Sequence, residues 1–264
     1  MANIILHIQS KNFRVKSGGM RRVSGDAGDI FKPKGQLERE IRLAEDQPDI
    51  VIAVLERHLS EARKARIDEV VKKRIRRQTV AIDGVIDPHN TAAVIRTAEA
   101  FGLQTVHIVE GTTRFISSRK VTQGTHKWID FAVWKKPAFF ADAVRGEKKR
   151  ILIADAAAER TVYDLDPETP TALVFGNEHL GVSDAMRALA DGAFSIPMTG
   201  FAESLNVSVA AAVAISNFVP RCKSDLTAAE QRVLKARFYL RAVRAGYDIV
   251  QLASKEEACA NGSS

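Results

Sequence analysis

From Gln78 onward the chain alternates two kinds of segment, and this alternation limits the fold more than anything else in the sequence. QTVAID, QTVHIVE, WIDFAVW, RILIADA, TALVFG and AFSIPM are short apolar runs that read as strands. PHNTAAVIRTAEAFG, FFADAVRGEKKR and SDAMRALA, set between them, read as helices. Strands separated by helices build βαβ units, and the parallel sheet they form is covered on both faces. The expected class is therefore α/β, a doubly wound parallel sheet. No internal repeat is present. The first strand is not followed by the glycine fingerprint of a dinucleotide-binding turn, which argues against a Rossmann dehydrogenase.

Three segments within this frame carry chemistry. In SLNVSVAAAVAISNFV, Ser204 to Val219, a polar cluster runs directly into a helix of small residues. Asn206 is placed to cap that helix, because its side-chain carbonyl can accept an orphan amide. The small residues after it imply that something packs closely against them. Taken alone, an ordinary capped core helix would read the same way. In TALVFGNEHLGVS, residues 171–183, an apolar strand ends in Gly176, Asn177 and Glu178, the usual place for a ligand loop in an open α/β sheet. In VIDPHNTAAVIRTAEAFG, residues 85–102, Asp87-Pro88 opens a helix and Asn90 lies in its first turn. Arg96 follows among Val94, Ile95, Ala98 and Ala100, where an Arg is either paired or extends its stem to reach solvent.

Taken together and in this order, NTAAVIRTAEAFG, LVFGNEHLGVS and IPMTGFAESLNVSVAAAVAISNF resemble the SPOUT superfamily of RNA methyltransferases, most of all its TrmH/SpoU branch. That branch methylates ribose 2′-hydroxyls with S-adenosyl-L-methionine. The resemblance covers roughly residues 65–250. It implies a deep C-terminal trefoil knot at about 171–219, which no periodicity would disclose, since true knots are very rare. It implies a cofactor pocket made by the loops after TALVFG and AFSIPM with the start of the 206 helix, at Ala154, Gly176, Ile196 and Leu205. It assigns catalysis to Arg96, Asn90, Glu178, Ser204 and Asn206, and an RNA or structural contact to His126 in TQGTHKW. It also implies a homodimer.

Charge adds an independent argument for a polyanionic partner. The net charge is +7, and residues 1–80 hold 18 Lys or Arg against 11 Asp or Glu. The rest of the chain is balanced. The excess centres on RKARIDEVVKKRIRR, with Lys72, Lys73, Arg74, Arg76 and Arg77, and a second acid-free run passes Arg237 and Arg241 to Arg244. Basic clusters flanking a neutral core suit RNA lying across the molecule.

The expected organisation follows. Residues 1–35, rich in Gly, Lys and Ser, read as flexible; 36–77 form a basic helical extension; 78–221 form the methyltransferase domain. A basic helix covers 222–250 and a flexible tail 251–264. No apolar run reaches membrane-spanning length, and no signal-peptide core precedes a cleavage site. Cys222 and Cys259 have neither metal nor redox spacing, so no metal site is expected. A cytoplasmic tRNA 2′-O-methyltransferase acting on the D-loop guanosine is the implied function. The short helical N-terminal region favours tRNA over the alternative, 23S rRNA. A catalytically silent knotted RNA-binding protein is the alternative of another class; the presence of Arg96, Glu178, Ser204 and Asn206 argues against it.

Overall fold

The computed structural model describes residues 20–21, 35–84, 87–110, 127–177 and 180–261. Glu178 and His126 lie outside the described residues. In chain order the elements begin with β1 (Met20–Arg21), α1 (Gln36–Asp46), α2 (Pro48–Leu55) and α3 (Glu61–Lys72). There follow β2 (Gln78–Asp83), α4 (Pro88–Ala100), β3 (Thr105–Val109), β4 (Asp130–Trp134), α5 (Pro137–Gly146) and β5 (Arg150–Ala154). The chain closes with β6 (Thr171–Phe175), α6 (Asp184–Arg187), β7 (Gly192–Phe194), α7 (Val207–Phe218), α8 (Ala228–Ala242) and α9 (Gly246–Asn261). Two compact units result, one from Met1–Phe31 with Ile75–Asp225, the other from Lys32–Arg74 with Leu226–Ser264.

In the first unit seven strands form one sheet in the order β1-β4-β3-β2-β6-β5-β7. Strands β2 to β7 are parallel, as the βαβ alternation predicts. The two-residue β1 pairs antiparallel with β4 and lies inside the segment whose composition reads as flexible. Register follows from burial. Val80 stands opposite Val106 and Leu173, and Ile82 opposite Ile108 and Phe175. Those residues face a core closed by Val94, Ile95 and Ala98 of α4 and Ala211, Ala214, Ile215 and Phe218 of α7. The alternate residues, Ala81, Ile151, Ile153, Ala172 and Val174, face a second core against Phe140, Ala141 and Val144 of α5 and Met186 of α6. Helices on both faces make the sheet doubly wound. The small side chains of α7 are explained by its close seat on the sheet beside α4.

On the second face His107 is buried at 4% exposure. Its Nδ1 accepts the Trp134 indole N–H at 3.1 Å, and its ring meets Phe140 edge-on at 5.3 Å. Burial, reinforced by the positive charge of Lys149, pushes its pKa down to about 3.

The second unit is helical. Ser60 caps α3 by accepting the Arg63 amide, and Thr227 with Glu230 forms a capping box at the start of α8. The sequence suggests one last helix within 222–250. Two are present, because Val243 is extended and Ala245 takes a left-handed φ of 55°, which breaks the helix. The expected tail from 251 is helical as far as Asn261. Among the described residues no helix is long and apolar enough to cross a membrane.

Candidate active site

Strand β2 has β3 on one side and β6 on the other. The chain builds β3 and β4 outward from β2 on one side, then crosses to build β5, β6 and β7 on the other. Such a reversal opens a crevice at the carboxyl ends of the strands, where α/β sheets bind ligands. Because β2 to β7 run parallel, Asp83-Gly84, Ala154-Asp155, Gly176-Asn177 and Ser195-Ile196 all leave the sheet along one edge.

The loop after β6 is folded tightly on itself. Asn177 and Gly181 exchange main-chain hydrogen bonds of 3.0 and 3.1 Å, and Asn177 Oδ1 accepts the Leu180 amide at 2.7 Å. A Cβ on Gly176 would lie 1.9 Å from the carbonyl carbon of Gly181, so only glycine fits there. The strand end is anchored from below by Phe175, whose ring meets Phe194 of β7 edge-on at 5.9 Å, a contact worth about 0.5–1.5 kcal/mol beyond its burial.

Beside this loop the N-termini of α4 and α7 meet. Asn206 Oδ1 accepts the amides of Ser208 at 2.9 Å and Val209 at 3.4 Å, which caps α7 as its position in the sequence predicts. The same oxygen accepts the Ser208 hydroxyl at 2.6 Å. Asn206 Nδ2 donates to Asn90 Oδ1 at 3.2 Å. Asn90 is held in turn by the start of α4, where Asp87 accepts the His89 amide at 2.8 Å and Pro88 occupies the first turn.

The structure thus joins Asn90 to Asn206, and sets Ala154, Gly176 and Ile196 at the ends of β5 and β6 and just beyond β7. Ala154 and Ile196 are half-buried on the first core, and Leu205 is 36% exposed. Ser204 is exposed. Arg96 does not join the asparagine pair, since it lies six residues, about 9 Å of helix, beyond Asn90. Of the two readings its apolar neighbours allow, it is the solvent-reaching one that is seen: Val94, Ile95 and Ala98 face the core and Arg96 is exposed.

Sequence reading passed over three charged residues at this edge. Asp83, at 3% exposure, accepts the Ser183 amide at 2.8 Å. Asp155 accepts a close hydrogen bond from the Arg187 guanidinium and the Ala157 amide at 2.9 Å. The Arg187 bond, aided by the Ala157 amide, holds the Asp155 carboxyl below its ordinary range. An acid that ends a wholly buried strand, as Asp83 does, is the signal that could have found the first of them.

The basic residues divide once the helical unit is seen. Both basic segments belong to it up to Arg74, and Lys235 of α8 pairs with Asp68 of α3 at 2.6 Å. Lys72, Lys73 and Arg244 are exposed, and Arg241 is half-buried. Arg74 and Arg237, expected on an RNA-facing surface, are buried at 0% and 2% exposure. Arg74 lies over the Phe238 ring, 5.7 Å from its centroid. In the sheet unit, the Arg76 and Arg77 amides donate to the Asp225 carboxylate at 2.7 and 2.9 Å. The Arg77 guanidinium is engaged by Glu168 at 3.2 Å, so it is a structural tie rather than a free cation.

The chain is similar to known proteins in sequence and in fold. A tRNA (guanosine(18)-2′-O)-methyltransferase of Thermus thermophilus is 40% identical over 161 residues, 60% of this chain and 81% of that protein. The crystal structure of the A. aeolicus TrmH/SpoU tRNA modifying enzyme matches with a TM-score of 0.61 and 29% identity, over 70% of this chain and 98% of that one. The SpoU methyltransferase AviRb from Streptomyces viridochromogenes, in complex with the cofactor AdoMet, matches with a TM-score of 0.51 and 27% identity, over 54% of this chain and 59% of that one. The SpoU rRNA Methylase family model matches residues 77–216, across β2 to α7 and every described residue of the crevice, and the chain belongs to that family.

Proposed function

We propose that this protein methylates a ribose 2′-hydroxyl of tRNA, at the D-loop guanosine, using S-adenosylmethionine. The observation that carries the proposal is the meeting of the α4 and α7 N-termini, Asn90 with Asn206, beside the strand ends that bear Ala154, Gly176 and Ile196. The tRNA (guanosine(18)-2′-O)-methyltransferase likeness, which spans 81% of that protein, supports the choice of RNA.

The residues at the strand ends suit such a cofactor. Half-buried aliphatic Ala154 and Ile196 above the Phe175–Phe194 pair offer an apolar shelf for a purine and a thioether. The tight Gly176 turn brings main-chain groups close enough to read polar edges. When bound, S-adenosylmethionine supplies a methyl group on a positively charged sulfur. This chain must orient the ribose and lower the cost of charge on its 2′-oxygen. A guanidinium stays protonated in a site of this kind, so Arg96 is not a base. Arg96 grips the phosphate next to the target ribose and stabilises the developing alkoxide, and the 2′-hydroxyl proton leaves toward that phosphate. Asn90 and Asn206 fix the helix starts around it, Ser204 contacts the ribose, and Glu178 orders the loop after β6. Exposure of Arg96 in one protomer suits a site completed by a second, so the working form is a homodimer. The knot spans about 171–219, residues Lys72, Lys73, Arg76, Arg241 and Arg244 with His126 meet the RNA backbone, and the enzyme works in the cytoplasm without a metal.

Labelled methyl transfer to separate tRNA and rRNA pools, followed by mapping of the modified nucleotide, tests the proposal. Label on the ribose of a tRNA D-loop guanosine is expected. Label on rRNA alone, or on a base, would overturn it.

A further inference from the structure

Strand β6 lies between β2 and β5; β2 ends in Asp83 and β5 is followed directly by Asp155, and each carboxylate bonds to the segment following β6. From the β2 side, buried Asp83 accepts the Ser183 amide at 2.8 Å. A buried carboxylate is costly unless hydrogen-bonded, so an Asp kept here binds its loop partner firmly. From the β5 side, Asp155 accepts from Arg187, and Arg187 Nη2 sits 3.9 Å from the point where a Cβ on Gly181 would stand. The stretch from Asn177 to Arg187 is therefore tied at both flanks, while Asn177 and Gly181 close it across its own base.

We propose that Asp83 and the Asp155–Arg187 pair are positioning residues that clamp the loop after β6 in the shape that receives the cofactor. The inference rests on the methyltransferase reading above. Neither carboxylate is a catalytic residue; each acts through the loop, one by a main-chain amide and one by a guanidinium. The two ties differ in kind. The Asp83 tie is buried and needs only an acceptor, so asparagine can replace it. The Asp155–Arg187 tie is partly exposed, with side chains 23% and 41% accessible; Asp155 must stay an acceptor for the Ala157 amide, so only the cation at 187 can be varied.

The test uses the full-length chain and four variants: Asp83→Ala, Asp83→Asn, Arg187→Ala and Arg187→Lys. Three readouts are taken: deuterium uptake of peptides covering 176–187 without cofactor, S-adenosylmethionine affinity by calorimetry, and KM for tRNA. Asp83→Ala is expected to raise uptake in these peptides and weaken the cofactor about tenfold, as loss of a buried acceptor does. Arg187→Ala is expected to weaken it about fivefold, the upper range for a partly exposed pair. KM for tRNA should stay within about twofold, and both Asp83→Asn and Arg187→Lys should keep most of the affinity that the alanine variants lose. Wild-type uptake and affinity in both alanine variants would overturn the clamp. So would uptake that rises equally throughout the molecule, or an Arg187→Lys variant no better than Arg187→Ala. A wild-type protein that transfers no methyl group would sink the methyltransferase reading alone, and uptake at 176–187 would still decide the clamp.

Discussion

Asn206 Nδ2 donates to Asn90 Oδ1 at 3.2 Å while Asn206 Oδ1 caps its own helix, so one side chain ties together residues 116 positions apart. The two ends of the amide have separable duties. Asn206→Asp keeps the acceptor for Ser208 and Val209 but loses the donor to Asn90. It should melt within a few degrees of wild type and lose at least about tenfold in kcat/KM, some 1.4 kcal/mol of barrier. Asn206→Ala loses both and should also cost about 1 kcal/mol of stability. Thermal melts and steady-state kinetics on the two variants separate the duties. Equal activity in Asn206→Asp and wild type would mean the link to Asn90 is idle.

Arg96 stands exposed on α4, so its removal should leave the fold intact. Arg96→Ala is expected to abolish turnover with S-adenosylmethionine affinity nearly unchanged. Arg96→Lys should fail as well, because a point charge cannot copy a planar fork. An alanine variant keeping more than about a tenth of the wild-type rate, a barrier change below roughly 1.4 kcal/mol, would remove Arg96 from the reaction.

The basic residues should sort by burial. Replacing exposed Lys72, Lys73 and Arg244 with alanine is expected to weaken tRNA binding and flatten its salt dependence by about 0.7 to 0.9 per lost phosphate contact. Arg74→Ala and Arg237→Ala should instead lower the unfolding midpoint, because both are buried. Filter binding across a salt series, run beside denaturant titrations, distinguishes the groups. An unchanged salt slope in the triple variant would leave the RNA to be gripped by the catalytic loops.

His107 ties stability to acid. The unfolded imidazole takes a proton as pH falls through about 6.5, whereas the folded one resists until about 3. The unfolded state therefore binds more protons in that window, and stability is lost as pH falls through it, by up to about 1.4 kcal/mol per pH unit. His107→Gln, which can still accept the Trp134 N–H, should flatten this dependence between pH 6 and pH 5. Urea midpoints measured across that range provide the check, and parallel slopes for the two proteins would rule out His107 as the source.

Strand and helix identities from β2 to α7 were legible because each has a clean apolar period and a recognisable start, such as Asp87-Pro88 or Asn206. The order of the strands was not. That β6 inserts between β2 and β5 depends on crossovers that leave no local trace. The burial of Arg74 and Arg237 could have been seen: Arg74 follows Ile67 and Val71 at helical spacing, and Arg237 shares a stripe with Leu234. Counting charge hid that spacing. Arg96 could be read either as paired or as reaching solvent, and it is exposed, because a neighbour in sequence on a helix points rather more than a quarter of a turn away. The break at Val243–Ala245 lacks a proline, and its left-handed residue is an alanine, so composition does not mark it.

The helical unit is assembled from two separated segments, Lys32–Arg74 and Leu226–Ser264, with β2 to β7 of the sheet encoded between them. A ribosome delivers α1 to α3 first and their partners α8 and α9 last. The apolar faces of α1 and α2, including Ile41, Ala44, Val51 and Leu55, must wait uncovered while β2 to β7 are synthesised. Domains generally fold as they emerge, so β2 to β7 can pair before the helical unit closes, and α8 and α9 complete the molecule last.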